Sequence, residues 1–198
     1  MVVGLTGGIG SGKSTVLEQF NRLGNIAVYN ADVEAKKLMN SSLVIREKLV
    51  QLFGKQAYIN DQLNRVFISN IVFSEKEKLK ELNAIVHPEV YIHLHSFIAK
   101  NQAKDYVLYE NAILFENNSD VFCDYIITVT ASEKSRIERV IARDSISEKE
   151  VKSRMDNQWG DAKKAILSNY IVRNENSKTL EGQIVKIHNN LTKKKPSI

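Results

Sequence analysis

Residues 7 to 14 read Gly7-Gly8-Ile9-Gly10-Ser11-Gly12-Lys13-Ser14, four glycines followed by a lysine and a hydroxyl. The spacing G-x-x-x-x-G-K-[ST] is that of a phosphate-binding loop. Glycines accept positive φ, so the chain can wrap and bring backbone N–H groups to phosphate oxygens. Gly8, Gly10, Ser11 and Gly12 form that lining. Lys13 supplies a compact positive charge for β and γ phosphates, in binding and in catalysis. The Ser14 hydroxyl suits Mg²⁺, a hard cation that takes oxygen ligands. Thr15 continues the first turn of a helix whose positive end faces the anion. The ligand implied is a nucleoside triphosphate, with MgATP foremost. The loop alone does not separate kinases from GTPases or motor ATPases.

A small-molecule kinase also needs a group that orients the acceptor hydroxyl and arginines that neutralise transferring charge. Asp32 follows the second apolar strand and is the candidate for the first role. Its other reading is a helix N-cap for residues 33–40. Arg136, Arg139 and Arg143 fall at i, i+3 and i+7 and share one helix face, with Arg154 on the next helix. They read as a lid over phosphates, or as a solvated basic face paired with Glu133, Glu138 and Asp144.

The surrounding pattern supplies the scaffold. Val2 to Thr6 is an apolar run without alternation, as in a strand buried on both faces. A helix is expected from Lys13 to Leu23, a strand over Ile26 to Tyr29, and helical pattern from Asn30-Ala31-Asp32 to Phe53. Residues 54–64 are turn-rich. Residues 65–100 read as helix interrupted at Pro88, which biases His87 towards an extended conformation. Further strands are expected at 106–110, 125–129 and 169–172, with helices at 133–143, 147–158 and 177–191. Strands alternating with helices argue an α/β domain with a parallel sheet of about five strands, of the P-loop NTPase type. One domain is expected: a core of about 1–30, 101–132 and 168–192, a helical acceptor-binding subdomain of about 31–100, and a helical lid of about 133–167.

Bulk properties bound the remaining possibilities. Apolar residues are 43% and charged residues 26%, a globular profile, and no apolar run reaches the roughly 18–20 residues of a membrane helix. The loop pattern begins at residue 7 and the only cysteine is Cys123, so neither a leader nor an intrachain disulfide is expected, and a cytoplasmic location is. The net charge of +5 lies partly in Lys193-Lys194-Lys195, read as a frayed, solvated tail, so nucleic acid is not an expected partner. No obligate protein partner is evident.

Over about residues 2–190 the chain resembles the dephospho-CoA kinases. Gly4 to Thr15 reads G-L-T-G-G-I-G-S-G-K-S-T, as that family does. Asn30-Ala31-Asp32 corresponds to its Asp-Ala-Asp, Leu63-Asn64-Arg65 echoes its L-x-R segment, and Leu82 to Pro88 matches L-N-x-[IL]-x-H-P. Arg139 to Asp144 matches R-x-x-x-R-D, with a lid helix ending near Gln158. Two segments depart: Glu110 stands for an aspartate and Ala112 for a proline before Leu114-Phe115-Glu116, and the glycine expected near Asn174-Glu175-Asn176 is missing.

The resemblance implies transfer of the ATP γ-phosphoryl group to the 3′-hydroxyl of the dephospho-CoA ribose. Asp32 then orients that hydroxyl, and Arg65 and His87 contact the acceptor. Arg139 and Arg143 belong to the lid, Asn174 lies near the adenine, and Glu110 holds Mg²⁺ through water. At 110–112 the side chain is longer than the family's aspartate and the turn lacks its proline. A nucleoside monophosphate kinase is the nearest alternative. It calls for an arginine-rich acceptor pocket, and residues 31–100 contain only Arg46 and Arg65. A GTPase switch wants N-K-x-D, which Asn101 to Asp105 does not supply. His93 and His95 are two apart and do not share a helix face, which argues against a metal enzyme.

Overall fold

In the computed structural model, residues 1–194 are described, so Lys195 of the basic tail lies outside the described residues. The chain divides into two compact units. One comprises Met1–Tyr29 and the chain from Asn101 onward; the other is Asn30–Lys100.

The first unit is built on a five-stranded sheet in the order β2-β5-β1-β6-β7. Its strands are β1 (Val2–Thr6), β2 (Ala27–Asn30), β5 (Val107–Glu110), β6 (Tyr125–Thr130) and β7 (Tyr170–Arg173). β1 runs parallel to β5 and β6, and β7 parallel to β6. Every β1 residue is buried, which is why that strand lacks alternation: Val3 and Leu5 lie in the core on one face, and Gly4 on the other comes close to Leu114 and Cys123. α1 (Lys13–Leu23) and α9 (Ser177–Thr192) pack together. Val16 and Phe20 of α1 and Leu180, Ile184 and Leu191 of α9 join Val3, Leu5, Leu108 and Ile127 of the sheet in one core. At the last described residue, Lys194 donates to the Tyr170 hydroxyl at 3.2 Å and lies over the Tyr125 ring, so that residue of the tail is docked, not frayed.

The second unit is mainly helical: α2 (Ala31–Ser41), α3 (Leu43–Phe53), α4 (Arg65–Ser74) and α5 (Lys76–Lys100). α5 corrects the expected break at Pro88, because the helix runs through it for 25 residues. Proline removes one backbone donor. The turns around it are held by Val86, Val90 and Leu94, buried where α5 packs on α2, α3 and α4. The turn-rich segment contains a small hairpin, β3 (Tyr58–Ile59) and β4 (Gln62–Leu63). Asn60 and Asp61 between them both adopt positive φ, 48° and 63°, the requirement of a tight two-residue hairpin turn. Among the described residues no helix is long and apolar enough to cross a membrane.

The first unit also carries α6 (Glu133–Asp144), α7 (Glu148–Asp156) and α8 (Asp161–Ile166). Ser147 and Glu150 form a reciprocal capping box that starts α7. α8, which follows Gly160, is not anticipated by the sequence pattern.

Candidate active site

The loop from Gly7 to Gly12 connects β1 to α1. Gly10 and Gly12 have φ of 78° and 90°, where a side chain is strained. Space excludes one as well. A Cβ on Gly12 would lie 2.0 Å from Asn174 Nδ2, and one on Gly10 2.4 Å from the Arg136 carbonyl oxygen. Lys13 lies across the loop and donates to the carbonyls of Gly7 at 2.9 Å and Gly8 at 3.4 Å. Ser14 and Thr15 are exposed on the first turn of α1, whose leading N–H groups have no intrahelical acceptor.

Side chains from distant segments hold this loop. Arg136 is 8% exposed; its Nε donates to the Ile9 carbonyl at 2.9 Å and its guanidinium pairs with Asp161 at 3.2 Å. Arg139 donates to the carbonyls of Gly10 and Ser11, both at 3.3 Å, and of Asn174 at 2.8 Å. Asn174 in turn donates through Nδ2 to Ser11 O at 2.9 Å. The loop amides of Gly8 and Ile9 donate to Asp161 Oδ1 at 3.3 Å and Gln158 Oε1 at 2.8 Å. The structure therefore brings Gly8, Gly10, Ser11, Gly12, Lys13, Arg139 and Asn174 together.

Arg143 stands apart from that group. It is exposed at the end of α6 and donates from Nε and a terminal nitrogen to both carboxylate oxygens of Asp144, at 2.7 and 3.0 Å. Arg154 of α7 shares the same carboxylate at 3.0 Å. The hydrogen bonds from Arg143 hold the Asp144 carboxyl below its ordinary pKa. Of the three arginines on one face, two are directed to the loop and one to Asp144.

Glu110 ends β5 opposite Leu5 of β1 and is 6% exposed. The turn after it is held without the proline. Asn111 Oδ1 accepts from Ile113 N at 3.0 Å, and Lys164 Nζ donates to Ala112 O at 2.7 Å. Lys164 is fully buried and also meets Glu116 Oε1 at 2.9 Å. That oxygen accepts from Trp159 N at 2.8 Å, and the Trp159 ring stacks parallel to Phe115. Asp161 and Lys164 escape sequence reasoning, since charged residues spaced along a short helix read as solvent-facing. Ser14 and Glu110 are oxygen donors of the kind Mg²⁺ takes beside nucleotide phosphates. No three His, Cys, Asp or Glu side chains cluster as a metal site among the described residues, and a cation held largely by phosphates and water needs no such cluster.

In the helical unit Asp32 is exposed in the first turn of α2. The N-cap of that helix is Asn30, whose side chain accepts from Val33 N at 2.9 Å. This corrects the reading of Asp32 as the cap. Asn30 takes that place because the helix begins at Ala31, two residues earlier than a cap at 32 requires. Arg65 opens α4 and lines an open depression with Val33, Lys36, Lys37 and Asn40. His87 is exposed midway along α5. Arg46 is engaged elsewhere, paired with Asp61 at 2.6 Å and lying over the Tyr58 ring.

Comparison with known proteins decides the family. The family model described as dephospho-CoA kinase matches residues 1–179. The chain belongs to the dephospho-CoA kinase family. A dephospho-CoA kinase of Porphyromonas gingivalis is 36% identical over 198 residues, covering 100% of this chain and 97% of that protein. A Thermus thermophilus crystal structure matches with a TM-score of 0.84 at 30% identity, covering 94% of this chain and 95% of the other. A dephospho-CoA kinase structure from Campylobacter jejuni, 24% identical, matches with a TM-score of 0.65 over 97% of each chain; at that identity it supports the fold. Membership of the dephospho-CoA kinase family makes the chain an ATP-dependent kinase of coenzyme A biosynthesis.

Proposed function

We propose that this protein transfers the γ-phosphoryl group of ATP to the 3′-hydroxyl of dephospho-CoA, giving CoA and ADP. The observation that carries the reading is the loop at 7–14, held from outside by Arg136, Arg139 and Asn174 within a chain matched to that family over residues 1–179. Phosphoryl transfer needs positioning and charge stabilisation more than covalent chemistry. The loop amides that run into α1, together with Lys13, bind the β and γ phosphates, while the Gly8 amide expected among them is taken by Asp161. Ser14 would ligate Mg²⁺ and Glu110 would hold it through water, and the cation would supply charge neutralisation on the phosphates. Asn174 borders the adenine.

The helical stretch of about 31–100 binds the acceptor. Asp32 orients the ribose hydroxyl and accepts its proton. Arg65, with Lys36 in one depression, offers cations suited to a diphosphate, and His87 is a further acceptor contact. The absence of a second unengaged arginine in that stretch argues against a monophosphate acceptor. Residues 133–167 act as the lid. Its two ends are fastened to the loop through Arg136, Arg139, Gln158 and Asp161, so the motion concentrates in the stretch that carries Arg143, α7 and Arg154. The protein acts in the cytoplasm.

The test offers purified protein and MgATP dephospho-CoA, AMP, shikimate and a nucleoside in parallel, following ADP release. Dephospho-CoA is expected to turn over much the fastest. Faster turnover with AMP would move the assignment to a nucleoside monophosphate kinase.

A further inference from the structure

We infer that Gln158 and Asp161 are positioning residues for the phosphate loop. They fix the amides of Ile9 and Gly8 and set the nucleotide cradle before ATP arrives. The inference rests on the loop being the ATP site and not on the identity of the acceptor.

Four consecutive loop residues are pinned by side chains from elsewhere. Gly8 and Ile9 are held through their N–H groups by Asp161 and Gln158, and Gly10 and Ser11 through their carbonyls by Arg139, with Asn174 also on Ser11. A glycine-rich segment loses more conformational freedom on ordering than any other. A loop ordered in advance spares the nucleotide that entropy, which is how preorganisation raises affinity. The pins also divide the loop's donors. Gly8 and Ile9 point their N–H groups at protein, leaving phosphate to the amides that run into α1.

The pinning segment is itself anchored. Asp161 pairs with buried Arg136 at 3.2 Å. Three residues on, Lys164 reaches Ala112 O and Glu116, and Glu116 accepts from Trp159 N. Burying an ammonium is costly unless it is paired and hydrogen-bonded. Here that expenditure fixes the backbone from Trp159 to Lys164, and with it the reach of Gln158 and Asp161. The same Ala112 carbonyl accepts from the Thr6 hydroxyl at 3.4 Å, which joins the anchor to the end of β1.

The experiment measures binding of a non-hydrolysable ATP analogue with Mg²⁺ by calorimetry, without acceptor, for Gln158→Ala, Asp161→Ala and Asp161→Asn. Loss of one such hydrogen bond predicts a dissociation constant raised about tenfold for each alanine variant. Asp161→Asn should fall between parent and Asp161→Ala, because an amide oxygen still accepts from Gly8 N. In steady state the loss should fall on KM for ATP more than on kcat. A merely structural role lowers the melting temperature and leaves ATP affinity alone. If every variant that folds binds the analogue within fivefold of the parent, the inference is overturned; a larger loss in either alanine variant upholds it. Because no acceptor is present, failure of the dephospho-CoA assignment would leave this result untouched.

Discussion

Arg139 donates to the carbonyl of Asn174 at 2.8 Å, and through its other terminal nitrogen to the loop carbonyls of Gly10 and Ser11. One planar guanidinium thus joins α6, the end of β7 and the phosphate loop. Arg139→Ala should weaken ATP binding about tenfold or more, as expected when a hydrogen bond to a charged donor is removed. Arg139→Lys should recover little, since a single ammonium lacks the fixed fork that spans three acceptors. Titration with an ATP analogue checks both; full recovery by lysine would reduce Arg139 to a point charge.

Lys13 rests on the carbonyls of Gly7 and Gly8, within the loop it is expected to serve. Lys13→Ala should lower kcat by about 10²-fold or more, because electrostatic groups aimed at transition-state charge contribute on that scale. Circular dichroism should show the fold intact. Unaltered turnover would remove the argument from the loop.

Because Asn30 caps α2, a change at Asp32 leaves the cap in place. Asp32→Asn should alter stability by no more than a few tenths of a kcal/mol, the scale of a first-turn charge at a helix N-terminus. If Asp32 orients and deprotonates the acceptor hydroxyl, kcat should fall by about 10²–10⁴-fold, the range for a general base. ATP affinity should stay within roughly threefold, the expectation for a group that meets the acceptor and not the triphosphate. Wild-type kcat in the variant would leave the protein without an identified base.

Arg143 and Arg154 share the carboxylate of Asp144, while α6 and the segment after α7 are fastened to the loop. Hydrogen exchange should therefore show nucleotide-dependent protection concentrated between residues 144 and 157, with little change at 136–139. Protection spread evenly over 133–167 would show the whole lid moving as one piece, and none anywhere would end the lid assignment.

The Tyr106 hydroxyl and His188 Nδ1 lie 2.8 Å apart. Burial pushes His188 below its ordinary pKa, opposed in part by Asp105. The folded state therefore favours neutral imidazole, and the unfolded chain binds more protons below about pH 6.5. Stability from this group is present above that pH and is lost as pH falls towards the folded pKa. His188→Asn should flatten the acid side of the melting-temperature profile between about pH 7 and 5, a window set by the unperturbed imidazole. An unchanged slope would exclude His188 as a contributor.

Much of this architecture was legible because its signals are local. The loop pattern needs its glycines adjacent in sequence, and β1 announces two-sided burial by lacking alternation. The bounds of α1 at Lys13 and Leu23 are readable because Gly12 and Gly24 flank it. What stayed hidden depends on partners far along the chain. The hairpin at Tyr58 to Leu63 has strands of two residues, too short to show a period. Pro88 reads as a break until the packing of α5 is known. Lys164 looks like any surface lysine, and its burial is set by Ala112 and Glu116, about fifty residues earlier. The spacing of the α6 arginines marks a face, but which of them turns to the loop and which to Asp144 follows from tertiary position alone.

The sheet's central strand is separated from its neighbours by a large sequence gap. β1 ends at Thr6, whereas its partners begin at Val107 and Tyr125. At about 5–20 residues per second, β1 leaves the ribosome roughly 5–20 s before β5 is available to pair with it. Residues 30–100 meanwhile emerge as one continuous stretch whose contacts close within it, so that unit can order first. Until β5 arrives, an apolar strand has both edges open, the condition that favours pairing with the wrong chain. Long sequence separation between pairing strands also slows folding through loop-closure entropy. The late step in maturation of this molecule is thus the assembly of the sheet beneath the phosphate loop. Sequence changes that weaken β5 or β6 should lower the yield of folded protein more than equal losses of stability in α2 to α5.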